Sequence, residues 1–241
     1  MIHFSIRWKA KPRTNCWPCI SEFCYILNIM RIIVTAGPTR EHIDPVRFIS
    51  NRSTGKMGYA IAGVSAKRGH DVILISGPVC LEAPVNTIII NVDTAQQMLE
   101  ELKARISWCD VLIMTAAVAD FRPVVVRTGK IKKRNMPLTI RLAKTPDILK
   151  TVRKCKKNKI YVGFAAETSN MLREAKRKLR DKGLDLIVAN DVSKTDSGFG
   201  TETNRVVFIS ADGMCRKLPL MKKTQVAEKI LSWIEAYNVD K

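Results

Sequence analysis

Short runs of apolar residues recur along this chain, each stopped by turn-forming or charged residues, with helical patterns between most of them. They fall at 31–35, 71–76, 87–91, 110–114, 160–164, 185–189 and 206–210. A strand that is apolar on both faces must be covered on both faces, and alternating helices supply that cover. The pattern predicts an α/β protein with a Rossmann-like, three-layer fold and a mostly parallel sheet. A small C-terminal hairpin around Gly213 and an amphipathic helix over 222–237 close it. Thr94 is placed to cap a helix reaching about Ile106, and Asn170 to start one reaching Lys182. A shorter helix is expected over 145–154, with Pro146 in its first turn, after a short strand over 138–141. The stretch 40–53 reads as a long irregular loop, the kind that is usually functional.

With 241 residues, 46% apolar and 26% charged, the chain has material for one domain with a substantial core. Its charge is unusual: 41 Lys and Arg against 22 Asp and Glu give +19. A field of that sign attracts polyanions, whether nucleic acid, anionic lipid or small phosphorylated molecules. The excess is densest over 127–159, where Asp147 is the only acid and no aromatic residue is present. Bases stack on aromatic rings, so this composition disfavours a single-strand nucleic-acid surface. Seven scattered cysteines, an odd number, point to free thiols and a reducing, cytoplasmic setting. None shares a spacing with a histidine that would suggest a nucleophile or a metal site.

Residues 1–29 differ from the rest and read as an extension, either poorly ordered or an upstream misassigned start, with the domain itself over 30–241. Cys16 and Cys19 have Cys-x-x-Cys spacing without the strand and helix that frame redox motifs. The apolar run 20–29 is interrupted by Glu22 and is too short to span a membrane.

One stretch stands out for its chemistry. Ser50-Asn51-Arg52-Ser53-Thr54-Gly55-Lys56-Met57-Gly58 combines an amide, hydroxyls, cations and glycines, and a helical pattern follows at once. Ser53 or Thr54 is expected as N-cap. Unpaired N–H groups at a helix start, with Lys56 beside them, suit a phosphate. It is not a Walker A loop, since Met57 stands where a hydroxyl is needed. The glycine fingerprint of dinucleotide-binding folds is absent after the first strand, which argues against a nicotinamide enzyme. Ligands of open parallel sheets sit at the carboxyl ends of the strands, so the loops at 37–53, 115–120, 165–168 and 190–191 are the candidate site. Asp120 and Glu167 are potential acceptors there. Lys130-Ile131-Lys132-Lys133 reads either as a solvated charge run or as a strap over a triphosphate.

Taken in order, 35–41, 43–47, 49–58, 116–120, 130–133, 163–168 and 189–191 resemble phosphopantothenoylcysteine synthetase. That is the ligase half of the bacterial bifunctional coenzyme A enzyme, here without the flavin-binding decarboxylase half. The resemblance covers about 30–238. It implies a ligase that joins 4′-phosphopantothenate to L-cysteine using CTP and Mg²⁺, through an acyl-cytidylate; ATP is the alternative nucleotide. It implies a homodimer, no flavin in this chain, and a decarboxylase that is a separate polypeptide and a possible partner.

The resemblance also implies residue roles. Asn51 would hold the acyl-nucleotide for attack by cysteine, and Lys130 would neutralise the triphosphate. Gly37, Ser53, Gly55 and Gly58 would contact the nucleotide's phosphates. Ala116, Ala117 and Asp120 would line the substrate and ribose region, with Asp120 also the candidate metal ligand. Pro146, Asp147, Ile148, Leu149 and Phe164 would frame the base, and Lys178 and Lys182 would reach the base or the phosphates. The segment 134–137 is short for such a strap.

Overall fold

A computed structural model describes residues 29–133, 139–167, 170–191, 198 and 200–239. The expectation for residues 1–28 and the strap comparison at 134–137 lie outside the described residues. The apolar runs form the strands β1 (Arg31–Ala36), β2 (Asp71–Ser76), β3 (Thr87–Asn91), β4 (Val111–Met114), β5 (Ile160–Glu167), β6 (Leu186–Asp191), β7 (Val206–Ser210) and β8 (Cys215–Lys217). They make one sheet in the order β8-β7-β6-β5-β4-β1-β2-β3. β1 to β6 run parallel, with Ile33 opposite both Ile73 and Leu112, while β6–β7 and β7–β8 are antiparallel. The terminal hairpin therefore extends the main sheet instead of standing apart from it.

The helices are α1 (Lys56–Lys67), α2 (Ala95–Arg105), α3 (Ile148–Val152), α4 (Met171–Lys182) and α5 (Lys223–Val239). Alternate strand residues face opposite layers. Ile32, Val34 and Val188 pack with Ile61 of α1 and Ile230 of α5, whereas Ile33, Leu112 and Ile187 pack with Leu102 of α2, Leu149 of α3 and Leu179 of α4. Arg68, just past α1, ties the two helices of the first layer through Glu228 and through Glu235 at 2.7 Å.

Local rules account for most helix ends. Thr94 and Gln97 form a reciprocal capping box at α2. A buried Glu41 carboxylate accepts from Ala95 N–H at 2.9 Å, so the first loop is fastened to that helix as well.

Several boundaries differ from the sequence reading. The supposed irregular loop holds a ribbon, Arg40–His42 paired antiparallel with Phe48–Ser50. Its turn is built on the buried Asp44 carboxylate, which accepts from Val46 and Arg47 N–H, each at 2.9 Å. No strand occupies 139–141; the strand is Leu142–Lys144, paired with Phe121–Pro123. α3 begins at Ile148, capped by Asp147, which accepts from Lys150 N–H at 3.0 Å, so Pro146 lies before the helix. Neither Ser53 nor Thr54 caps α1: the N-cap is Gly55 at φ 77°, with no side-chain cap.

Candidate functional site

A cleft of about 910 Å³ opens at the carboxyl ends of β1, β4, β5 and β6, bounded by the start of α1. The chain runs from β1 to β2 on one side, while β4 lies on the other. The cleft thus sits at the point where strand order reverses, as ligand sites in open α/β sheets do.

Its floor is the loop 115–120 after β4, which is held from several directions. Gly37 carbonyl accepts from Ala117 N–H at 2.9 Å, Thr39 Oγ1 accepts from Ala119 N–H at 2.9 Å, and Thr145 Oγ1 donates to Ala119 carbonyl at 2.5 Å. The backbone there is positioned before any ligand arrives. Asn51 Nδ2 donates to the carbonyls of Ala117 at 3.2 Å and Val118 at 3.1 Å, so the 51–58 segment is tethered across the floor.

The start of α1 forms one wall. Gly55 supplies the left-handed turn into the helix, and the first N–H groups of α1 are left without a side-chain cap or an acidic residue. Gly58 allows the close approach: a Cβ there would fall 2.5 Å from both Ala36 Cβ and Thr115 Oγ1. Lys56 Nζ donates to Gly200 carbonyl at 3.0 Å and pairs with Glu202 at 2.5 Å.

The opposite wall comes from α3 and α4. Lys182 pairs with Asp147, and Lys178 Nζ donates to Phe164 carbonyl at 2.8 Å. Burial would raise the Asp147 carboxyl, but the Lys182 ammonium and the Lys150 N–H outweigh it and hold the group below the usual carboxylate range.

Of the sequence-derived candidates, Asn51, Ser53, Gly55, Gly58, Ala116, Ala117, Asp120, Pro146, Asp147, Ile148, Leu149, Phe164, Lys178 and Lys182 all line this cleft. Gly37 does not; it lies behind Gly55, against the backbone of Gly77. Lys130 does not either. It is exposed, on a segment rooted at Asp44, whose carboxylate accepts from Ile131 N–H at 3.2 Å, and Arg47 donates to Ile131 carbonyl at 2.8 Å. The side chain of Glu167 lies outside the described part of the structure.

Asn190, from the 190–191 strand end singled out in the sequence, lines the cleft, and so do Lys223 and Asn204, which sequence reasoning missed. Lys223, 6% exposed at the start of α5, donates to Gly198 carbonyl at 3.0 Å and to Thr201 carbonyl. Asn204 Oδ1 accepts from Gly198 N–H at 3.2 Å and from Asn190 Nδ2 at 3.4 Å, which fixes the orientation of both amides. Asn190 Oδ1 is then buried with no donor among the described residues. Lys223 gave no sign among the other lysines of the closing helix.

Among the described residues, no group of three or more His, Cys, Asp or Glu is placed to hold a metal. Asp120 is an exposed carboxylate lining the cleft, and Asp147 is already paired. That donor set fits a Mg²⁺ carried on phosphate oxygens and water, with one protein carboxylate at most, and does not fit an all-protein cage.

The pattern of the DNA/pantothenate metabolism flavoprotein C-terminal domain matches residues 27–237. The chain belongs to that family. Among curated relatives, the coenzyme A biosynthesis bifunctional protein CoaBC of Bacillus subtilis is 49% identical over 208 residues, covering 86% of this chain and 51% of the relative. The chain thus spans about half the length of the curated relatives it matches. The crystal structure of the C-terminal domain of a CoaBC superposes with a TM-score of 0.76 at 44% identity, covering 88% of this chain and 97% of that one. A Cab2 mutant in complex with phosphopantothenate-cysteine superposes at 0.71 and covers 88% of each chain; at 17% identity that likeness shows the fold. Among the described residues, no helix of this family member is long and apolar enough to cross a membrane.

Proposed function

We propose that this chain condenses 4′-phosphopantothenate with L-cysteine in coenzyme A biosynthesis, driven by CTP. The observation that carries the reading is the cleft. It gathers an uncapped helix N-terminus, a braced small-residue loop ending in Asp120, and Lys178 and Lys182 at the carboxyl ends of the strands. Phosphates need the first, a flat nucleoside against backbone needs the second, and developing negative charge needs the third. The Bacillus subtilis relative is by name a coenzyme A biosynthesis protein, which agrees.

A carboxylate is a poor acylating agent. In the first step a carboxylate oxygen of 4′-phosphopantothenate attacks the α-phosphorus, and the bond to the β-phosphate breaks to release pyrophosphate. In the second step the amine of cysteine attacks the acyl carbon and CMP leaves. The protein supplies positioning and charge neutralisation in both. Ser53, Gly55 and Gly58 present the loop and helix start to the phosphates, with Gly37 bracing the turn from behind. Ala116, Ala117 and Asp120 hold ribose and substrate; residues 146–149 and Phe164 frame the base, beside Lys178 and Lys182. A Mg²⁺ held on the phosphates and Asp120 would screen their charge. Asn51 serves the second step. Its N–H groups already lie on the Ala117 and Val118 carbonyls, so its Oδ1 is the atom left to orient the incoming amine. Lys130 neutralises the triphosphate from the strap, whose root is fixed at Asp44.

The chain acts as a homodimer in the cytoplasm. Exposed Val46, Phe48, Phe121, Val124, Val125 and Leu142 lie on the two ribbons and their flanks, and an apolar surface of that kind suits a second copy.

The deciding experiment is pyrophosphate release from the purified protein with 4′-phosphopantothenate and Mg²⁺, comparing CTP with ATP. Release that requires 4′-phosphopantothenate establishes the ligase, and the faster nucleotide identifies the co-substrate. A folded protein that releases none with either nucleotide refutes the reading.

A further inference from the structure

Lys56 and Lys223 stand at one end of the cleft, at the starts of α1 and α5, and neither is explained by packing alone. An ammonium has three N–H donors. Lys223 places two, on Gly198 and Thr201 carbonyls, in a site where its side chain is almost wholly buried. Lys56 also places two, on Gly200 carbonyl and Glu202. Each therefore keeps one N–H directed to no acceptor among the described residues, and both line the cleft. Burial lowers the Lys223 ammonium from its ordinary value, and the charge of Lys56 lowers it further, so the two cations are close enough to repel. Among the described residues, Glu202, mostly exposed, is the carboxylate offsetting them, and its side chain is bonded to Lys56.

The same end of the cleft holds the uncapped N–H groups of α1. Two repelling ammonium groups, a bare helix start and a displaceable carboxylate make a receptor for a compact, multiply charged anion.

We infer that Lys56, Lys223 and the first turn of α1 form the seat of the pyrophosphate leaving group, with Glu202 as the counter-ion that the anion displaces. The inference rests on the nucleotide-driven reading above. As the α-phosphorus–oxygen bond breaks, the electron pair stays on the departing pyrophosphate, and the free N–H of each lysine bonds to the oxygens that gain charge. Glu202, released from Lys56, moves to solvent. When pyrophosphate departs, Glu202 returns to Lys56 and the seat is again neutralised.

The test is direct binding of inorganic pyrophosphate to the full chain by calorimetry, with orthophosphate as the control for charge alone. Wild type is expected to bind pyrophosphate more tightly than orthophosphate. Loss of one charge-assisted bond in Lys56→Met or Lys223→Met should weaken pyrophosphate about tenfold or more. Lys223→Arg should restore part of the loss. Glu202→Gln should tighten binding severalfold, an outcome that a merely structural role for Glu202 would not produce. Unchanged affinity in Lys56→Met, which sits at the cleft edge and is expected to fold, overturns the assignment. So does equal affinity of wild type for pyrophosphate and orthophosphate. Melting curves of each variant separate lost binding from lost folding. A wild type that binds pyrophosphate through these lysines, yet releases none from CTP or ATP with 4′-phosphopantothenate, keeps the seat and refutes the ligase.

Discussion

Replacing Gly58 by alanine adds one methyl group at the third residue of α1, and its neighbours fix the consequence. The new Cβ would lie 2.5 Å from Ala36 Cβ, 2.5 Å from Thr115 Oγ1 and 3.1 Å from Ala36 Cα. Ordinary carbon contacts lie at about 3.5–4.0 Å, so the helix start must retreat by roughly 1 Å. Thr115 cannot swing aside without giving up its bond to Thr35 carbonyl at 2.6 Å, and Ala36 is buried strand backbone. Two energies oppose. Alanine is favoured over glycine inside a helix by about 0.8–1.0 kcal/mol, while overfilling a packed contact costs about 1–3 kcal/mol. The net loss is about 0–2 kcal/mol, or a few degrees in melting temperature for a chain of this size. Activity should suffer far more, because the same 1 Å moves the cleft wall; such a misplacement costs up to about 10²-fold in rate. Chemical denaturation and 4′-phosphopantothenate-dependent pyrophosphate release, measured on one preparation, test the separation. A variant stabilised by about 1 kcal/mol that keeps wild-type turnover would show that α1 does not rest on β1 and β4 as described.

Asn51→Ala should leave pyrophosphate release largely intact and impair capture of the acyl-cytidylate by cysteine; equal loss of both half-reactions would refute its second-step role. Lys130→Ala should slow the first half-reaction instead, and a normal rate of acyl-cytidylate formation would remove Lys130 from the chemistry. Asp147 is held below the usual carboxylate range, so its stabilisation is present above about pH 4 and is lost as pH falls through its folded-state value. Asp147→Ala should therefore lower stability by about 1 kcal/mol at neutral pH, with the gap to wild type closing in acid denaturation curves. Burial pushes the Cys109 thiol up to about 11, whereas Cys80, Cys155 and Cys215 are exposed. A thiol reagent at pH 8 should modify those three in the folded protein and Cys109 only in denaturant, as peptide mapping would show.

The sheet was legible because its strands are buried on both faces, and continuous apolarity such as Ile-Ile-Val or Val-Leu-Ile-Met, cut short by turn residues, suits a covered strand and little else. The cap at Thr94 was legible for a local reason too, since the N–H it accepts from lies within one turn, on Gln97. What failed was decided elsewhere in the chain. Leu142–Lys144 is an exposed two-stranded ribbon whose register is set by Phe121–Pro123, so it carries no apolar run to read. Asp44 organises the first ribbon through backbone N–H groups, which no side-chain pattern announces. Gly55 took the cap position because the turn into α1 needs a positive φ, overriding two hydroxyl residues beside it. In the site, the α1 start and the 115–120 loop stood out by composition. Lys223 did not, because its burial depends on carbonyls at Gly198 and Thr201 that approach only in the folded molecule.

That last contact has a consequence for how the molecule is made. Asn51 and Lys223, the first and last residues along the chain to line the cleft, are separated by most of the domain in sequence. The helix that begins at Lys223 docks beside α1 and follows the other elements of the domain along the chain. A nascent chain lacking it displays β1, β4 and the bare start of α1 with the α1-side layer uncovered, an apolar surface open to aggregation. The cleft is therefore completed in a single step once that helix is made, and chains lacking it should be recognised as unfinished instead of working at reduced rate.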